Sequence, residues 1–295
     1  MMWHLSVASF YYEGESMWIR KASIKKLSDD IKRMIAGENI DIRDNREGPL
    51  RILKNDIQTL ATYKKEQVDV LQQERDILKD TLADISHQLK TPLTSMMIMA
   101  ELLIDAPPEK QAEFITNIQS SLHRTEWLVS ALLKMAKLDA KAVEFKEETV
   151  SSDVLIEAAL LPLKIQLELK QQEVRVINSQ VFKCDKRWTA EALSNVIKNA
   201  SEHAPLDSTI EIQVGSNPIS MWISVTDEGE GLERDQIVKL FKRFEGSASL
   251  TGYGIGLPLA LTIMKSQFGD IDIDGGGKGK GATITLKFYK DAREN

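Results

Sequence analysis

DISHQLKTPL, residues 84–93, sets His87 five positions ahead of Pro92 in a segment with the spacing of an amphipathic helix. At about 100° per residue, Leu82, Ile85, Leu89, Leu93 and Met96 fall within a sector about 80° wide, and His87 lies about 150° from its middle, beside Thr91 and Thr94. The apolar sector predicts the buried side. His87 is therefore expected to face solvent, where a histidine is most often a plain surface residue. Pro92 weighs against that bland reading, because a proline inside a helix costs about 3 kcal/mol and kinks the axis. A helix that keeps one beside an outward imidazole is expected to gain something from it.

Working outward, the helical pattern runs from about Leu50 to Ala106. Ile57, Leu71, Leu78 and Ile85 share one heptad phase, but Lys64 occupies the same phase and Gln67 and Glu74 sit at partner positions. So imperfect a seam predicts a two-stranded coiled coil of limited stability, paired with another copy of the chain. DAPPEK then breaks the pattern, since neither proline fits a helix interior. A second amphipathic helix follows from about Glu109 to Phe145, with Phe114, Ile118, Leu122, Leu128, Leu132, Met135 and Leu138 on its stripe. Two long helices cannot bury both stripes alone, so two hairpins pairing as a four-helix bundle, a homodimer, is the expected solution. Upstream, Ile24, Leu27, Ile31 and Ile35 mark a shorter helix ending at Gly37, followed by the polar connector IDIRDNREGPL.

Beyond EFKEETVSS the texture changes. Residues 152–171 and 185–204 read as helices, VRVINS as extended, and TIEIQV and SMWISV as strands around the turn GSNP. Helices near 233–242 and 255–267, then the strands DIDID and ATITLKFY, complete an α/β layer. The expectation is a multidomain chain of 295 residues: a dimeric long-helix bundle, then an α/β two-layer sandwich. The 38 basic and 44 acidic residues give a net charge of -6 without basic blocks, which argues against a nucleic-acid partner. Cys184, the single cysteine, excludes an internal disulfide and a cysteine-rich zinc site; it reads as a small semi-buried hydrophobe. No window of about 18 apolar residues exists to span a membrane. The opening MMWHLSVASFYY ahead of a basic flank reads equally as the tail of a truncated span, an interfacial segment or an appended non-native stretch. His4 and His123 match no motif, and Trp127 and Trp188 are expected to anchor cores.

Several short motifs follow in order. LSNVIKNASEHA puts Asn195, Asn199 and Glu202 on the polar side of a helix, where two amides one turn apart can offer oxygens to Mg²⁺ and donors to phosphate. VTDEGEGL places Asp227 at a strand end with Gly229 and Gly231 behind it. LFKRF contributes Phe241 and Phe244. GYGIGLPLA opens a helix with Gly252, Gly254 and Gly256, where free N–H groups and the dipole favour phosphate. GGGKGKG precedes the last strand and reads as a hairpin loop, with phosphate contact through its lysines the alternative. Each signal alone is weak; their order is not.

The segment around His87 resembles the phosphoacceptor box of bacterial two-component sensor histidine kinases, usually Ser-His-Glu-Leu-Arg-Thr-Pro-Leu, matching at Ser86, His87, Leu89, Thr91, Pro92 and Leu93. Together with the ordered motifs, about residues 70–290 resemble the HisKA-type domain and the GHKL ATP-binding domain of that family. The resemblance implies ATP and Mg²⁺ as cofactors, attack of His87 on the γ-phosphate, and transfer to an aspartate of a response regulator. Imidazoles titrate close to pH 7, so a neutral nucleophilic nitrogen is at hand. It makes His87, Gln88 and Thr91 the catalytic group, with Thr91 leaving dephosphorylation of the regulator open. Asn195 becomes the Mg²⁺ ligand and Asn199 a phosphate-side contact. Asp227 would receive the adenine amino group, Gly229 and Gly231 would pass beneath the base, and Thr283 would line the adenine side. Gly252, Gly254 and Gly256 would hinge the lid and meet the phosphates, while Phe241 and Phe244 pack the lid. Residues 1–20 are then a juxtamembrane or appended segment, 21–69 HAMP-like signal-transmitting helices, 70–147 the dimerisation and phosphotransfer domain, and 148–295 the catalytic domain. That layout implies the cytoplasmic portion of a bacterial cell-membrane protein.

Four departures accompany the resemblance. Gln88 replaces a carboxylate and can hold an imidazole but not take its proton. Glu202-His203 stand where many members have Lys-Tyr, so His203 is expected near the base. Gly246 replaces an arginine, with Lys242 and Arg243 the nearest substitutes, and the first helix lacks the proline usual in HAMP. Two other readings share these motifs: a GHKL ATPase motor using Glu191 to activate water, and a dimeric binding module without phosphoryl transfer.

Overall fold

The computed structural model describes residues 21–38, 40–43, 49–242, 244, 254–277 and 279–290. The run MMWHLSVASFYY with His4, and Arg243, Gly246 and Gly252, lie outside the described residues. The chain divides into two compact units, Met1–Leu82 and Ala83–Asn295.

In the first unit α1 covers residues 21–35, and the connector places Ile42 in a buried position like Leu27 of α1. The Ile42 N–H donates to Gln58 Oε1 at 3.2 Å, which ties the connector to the next helix. That helix, α2 (Pro49–Ile104), runs 56 residues without interruption, Pro92 included. Among the described residues no helix is long and apolar enough to cross a membrane.

The second unit holds the rest of α2, then α3 (Pro108–Asp139) after the Pro107-Pro108 turn. α3 ends earlier than the apolar pattern suggests, because Lys141 adopts φ 51 and its N–H caps the Leu138 carbonyl at 2.9 Å. A small sheet follows that the sequence pattern hides: β1 (Glu148–Ser151) pairs antiparallel with β3 (Val181–Cys184). Between them lie α4 (Ser152–Leu160), a short 3-10 turn, α5 (Lys164–Leu169) and β2 (Glu173–Ile177). Next come α6 (Lys186–His203), β4 (Thr209–Ser216), β5 (Ser220–Thr226), α7 (Arg234–Leu240), α8 (Gly256–Ser266), β6 (Gly269–Asp274) and β7 (Thr283–Tyr289). The five-stranded sheet has the order β2-β4-β5-β7-β6, with only the β2–β4 pair parallel.

The alternating pattern along β4 buries Ile210, Ile212 and Val214 under α6 and α8, which contribute Leu193, Val196, Ile197, Leu259, Ile263 and Met264. Leu128, Ala131, Met135 and Leu138 of α3 belong to the same core. The stem helix is thus packed into the α/β domain along one face. Trp188 packs against Phe145 at 6.0 Å between ring centroids, as expected of a core anchor. Cys184 is buried, and burial pushes its thiol up to about 11, which keeps it un-ionised and inert near neutrality.

Candidate active site

His87 is exposed on α2, on the side its position on the helical wheel predicts. Pro92 has no N–H to offer the Gln88 carbonyl one turn back. The neighbouring Thr91 hydroxyl turns inward and donates to the His87 carbonyl at 3.1 Å, so backbone and side chain are knitted together around the imidazole. Gln88 is half-buried beside it.

α6 starts at Asp185, whose carboxylate accepts the Trp188 N–H at 3.0 Å. Its far end is held from behind: the Lys170 ammonium donates to the Ser201 carbonyl at 2.6 Å and the Gln172 amide to the Pro205 carbonyl at 3.0 Å. Held in this way, the last turn presents Asn199, Glu202 and His203 to a cleft of about 300 Å³. Asp227, Glu230, Gly231, Leu232, Gln236, Leu240 and Ala282 complete its lining. That volume sits at the small end of ligand sites, suited to one base and sugar.

Asp227 is only 4% exposed. Its Oδ1 accepts the N–H groups of Gly229 at 2.8 Å and Ala282 at 3.2 Å. Both bonds land on one oxygen, which leaves Oδ2 as the acceptor toward the cleft. Burial raises the Asp227 pKa above the ordinary carboxylate value; the two N–H bonds and the nearby His203 pull the other way without cancelling it. Gly231, at φ 76, and Gly281, at φ 72, let two loops interlock beneath this carboxylate. The Gly281 N–H donates to the Gly229 carbonyl at 3.0 Å and the Leu232 N–H to the Gly275 carbonyl at 2.9 Å. The glycine cluster before β7 thus packs against the Asp-x-Gly-x-Gly loop. Thr283 does not line the cleft; its hydroxyl bonds that of Thr226 at 2.9 Å, and its neighbour Ala282 forms the wall.

Asn195 is buried, and its Nδ2 donates to the Glu191 carbonyl at 2.8 Å. The remaining oxygen faces Gly256 at the start of α8, 3.1 Å from where a β-carbon would stand. α8 begins after Ile255 with no side chain among the described residues capping its first N–H groups, a favourable end for an anion. One hard, neutral oxygen fits Mg²⁺ brought in by phosphates, since Mg²⁺ takes few protein ligands. No group of three or more His, Cys, Asp or Glu able to hold a metal on its own exists among the described residues. Gly254 immediately precedes this turn, and its carbonyl accepts the N–H of Phe244, which is buried in the core.

Two family descriptions match this chain. The His Kinase A (phospho-acceptor) domain matches residues 77–141, which contain His87, and the Histidine kinase-, DNA gyrase B-, and HSP90-like ATPase matches residues 184–292, which contain the cleft. The chain belongs to the sensor histidine kinases. Sensor histidine kinase WalK of Bacillus subtilis is 29% identical over 224 residues, 71% of this chain and 36% of its own length. Signal transduction histidine-protein kinase BaeS of Escherichia coli is 25% identical over 265 residues, 85% of this chain and 54% of its own. The chain therefore spans only about a third to a half of these relatives. In fold it is similar to histidine kinase ThkA, solved in complex with response regulator protein TrrA, with a TM-score of 0.60 at 18% identity over 79% of this chain and 68% of that one.

Sequence motifs do not single out every residue that shapes this site. Leu232 and Leu240 stand in VTDEGEGL and LFKRF as apolar positions that the motif chemistry does not pick out, and Gln236 and Ala282 line the cleft outside the short motifs. Lys170 and Gln172, which hold the end of α6, lie in an unremarkable turn; the one available signal is that α6 must end against something that satisfies its carbonyls.

Proposed function

We propose that this protein is an ATP-dependent protein histidine kinase that phosphorylates its own His87 and passes the phosphoryl group to an aspartate of a response regulator. The observation that carries the reading is an exposed imidazole at the phosphoacceptor position of one domain, in the same chain as a carboxylate-centred cleft in a GHKL ATPase domain. In this reading Asp227 Oδ2 accepts the adenine amino group, His203 lies by the base, and Asn199 meets the phosphates. Asn195, with Gly254 and Gly256 at the α8 turn, serves the Mg²⁺–phosphate end. Bound there, Mg²⁺ would neutralise charge on the phosphate oxygens. The His87 nitrogen forms a bond to the γ-phosphorus as the bond to the bridging oxygen breaks and ADP leaves; the imidazole proton passes to solvent or a neighbouring acceptor. Gln88 holds the ring, and the Thr91 hydroxyl, whose O–H donates to the His87 carbonyl, keeps lone pairs with which to orient water for dephosphorylation.

The parts of this reading differ in what supports them. A homodimer and a response-regulator partner are supported by the phosphoacceptor domain and by ThkA's complex with TrrA. The cytoplasmic placement beneath a membrane span, and the division at 21–69, 70–147 and 148–295, rest on resemblance to the longer relatives. The Glu191 carboxylate is bound by the Lys134 ammonium at 2.7 Å, which disfavours a motor in which Glu191 acts as a free base.

Incubation of the chain with Mg²⁺ and γ-labelled ATP tests the reading. Acid-labile, alkali-stable label on the protein is expected, and none on His87→Ala. Released phosphate without protein label, or undiminished label on His87→Ala, would overturn it.

A further inference from the structure

Asn195 and Asn199 stand one turn apart on α6, yet they line different spaces. Asn199 opens on the cleft around Asp227, while Asn195 lines a second cavity of about 320 Å³ between α3 and α6. The α3 wall of that cavity carries Trp127 and Lys134, and the α6 wall carries Glu191 and Lys198. We propose, resting on the nucleotide reading above, that Lys134 of the stem helix is a ligand of the nucleotide's terminal phosphates, with Lys198 beside it. The phosphate end of the site is then built from two domains of one chain.

Charge directs the phosphates this way. The cleft is lined by Glu202, Asp227 and Glu230, and no lysine or arginine lines it among the described residues. Such a cleft accepts a neutral base with donor groups and repels a polyphosphate tail. One turn along α6, about 5 Å, the tail meets Asn195 and the start of α8, and the cavity that Asn195 lines carries the cations Lys134 and Lys198. Lys134 Nζ lies 2.7 Å from Glu191 Oε1, and Glu191 is itself one turn from Asn195. Lys198 Nζ sits 4.2 Å above the Trp127 ring and 3.8 Å from Glu202 Oε1. An ammonium has three N–H donors, so Lys134 can retain Glu191 and still donate to a phosphate oxygen. Apolar packing of Leu128, Ala131, Met135 and Leu138 fixes α3 at this distance. His87 lines neither cavity.

Equilibrium binding of ATP and of ADP, each with Mg²⁺, to the whole chain and three variants tests this. Lys134→Ala is expected to weaken ATP about five- to tenfold, the loss of one charge-assisted phosphate contact at a partly exposed site, and to change ADP less than twofold. Lys134→Arg, which keeps the charge, is expected to stay within threefold of wild type for ATP; a wild-type melting temperature for Lys134→Ala checks that the stem is intact. Equal losses for ATP and ADP, unchanged ATP affinity, or tighter ATP binding in Lys134→Ala would each overturn the proposal. In the last case the pair with Glu191 would be a clasp that competes with nucleotide. Asp227→Asn tests the underlying reading separately: it is expected to weaken both nucleotides alike, and no loss there would sink the site assignment itself.

Discussion

At Asp227 stability and binding pull in opposite directions. Burial raises its folded-state pKa above the ordinary carboxylate value, so the folded chain holds a proton there more readily than the unfolded chain does. Stability from this group is therefore greatest below the ordinary carboxylate pKa, falls as pH rises through the interval up to the raised value, and stays reduced above it. Asp227→Asn keeps an oxygen for the Gly229 and Ala282 N–H groups while removing the charge. Its thermal midpoint at pH 7 is expected to equal or exceed that of the wild type, the difference closing as the pH is lowered through the carboxylate range, while ATP affinity falls more than tenfold. Melting curves at pH 7 and pH 4, with and without ATP and Mg²⁺, measure both halves; a variant less stable than wild type at pH 7 would contradict the account. Asp227 is legible in the sequence only through the ordered set of motifs, since Asp-x-Gly-x-Gly after a strand is by itself also an ordinary turn. Lys134 is not legible, since a lysine on an amphipathic helix looks like any solvated position until α3 is packed against α6. Thr283 sits next to the residue that forms the wall, an offset that depends on strand register and not on residue type.

Between elements, the cleft floor depends on two loops that interlock through backbone alone. A β-carbon on Gly281 would stand 1.8 Å from the Asp227 carbonyl oxygen, with φ at 72, so neither the space nor the conformation admits a side chain. Gly281→Ala is expected to cost about 2–4 kcal/mol of stability and to lose nucleotide binding with it, as read by denaturant unfolding and a binding titration. Lys280→Ala, exposed in the same loop, serves as the control and should change neither. If the two variants unfold alike, the loops do not clamp. Helix α6 and strands β4 and β7 follow from apolar periodicity, since each buries one face, whereas β2 and α7 fit the pattern without burying any residue fully. β1 and β3 do not follow from it, because four-residue strands are too short to show a period and Glu148–Ser151 carries mostly polar side chains. The same brevity hides where α3 stops, which is set by the conformation of one residue, Lys141.

Across the whole molecule, the two faces of α3 define what the second unit still lacks. One face, with Leu128, Ala131, Met135 and Leu138, is buried against the α/β domain. The other presents Ile115, Leu122, Val129 and Leu133, between 41% and 60% exposed, at heptad-like spacing. On α2, Leu93 is likewise 48% exposed, about 120° around the helix from His87. Each leucine buried by a partner contributes about 1.5–3 kcal/mol, so several such side chains on two adjacent helices give enough apolar surface to hold two hairpins together. A second copy presents a matching surface by symmetry, and pairing in this way leaves His87 outside the seam. Sedimentation equilibrium is expected to give twice the chain mass at micromolar concentration. The double variant Leu93→Glu with Leu122→Glu, which sets charges in the seam, should sediment as a monomer. The catalytic domain buries its own core without the seam, so that monomer should keep ATP affinity within about twofold of wild type, a factor worth under 0.5 kcal/mol. A wild-type chain monomeric at tens of micromolar would remove the dimer from the account, and a dimeric double variant would move the seam to another face.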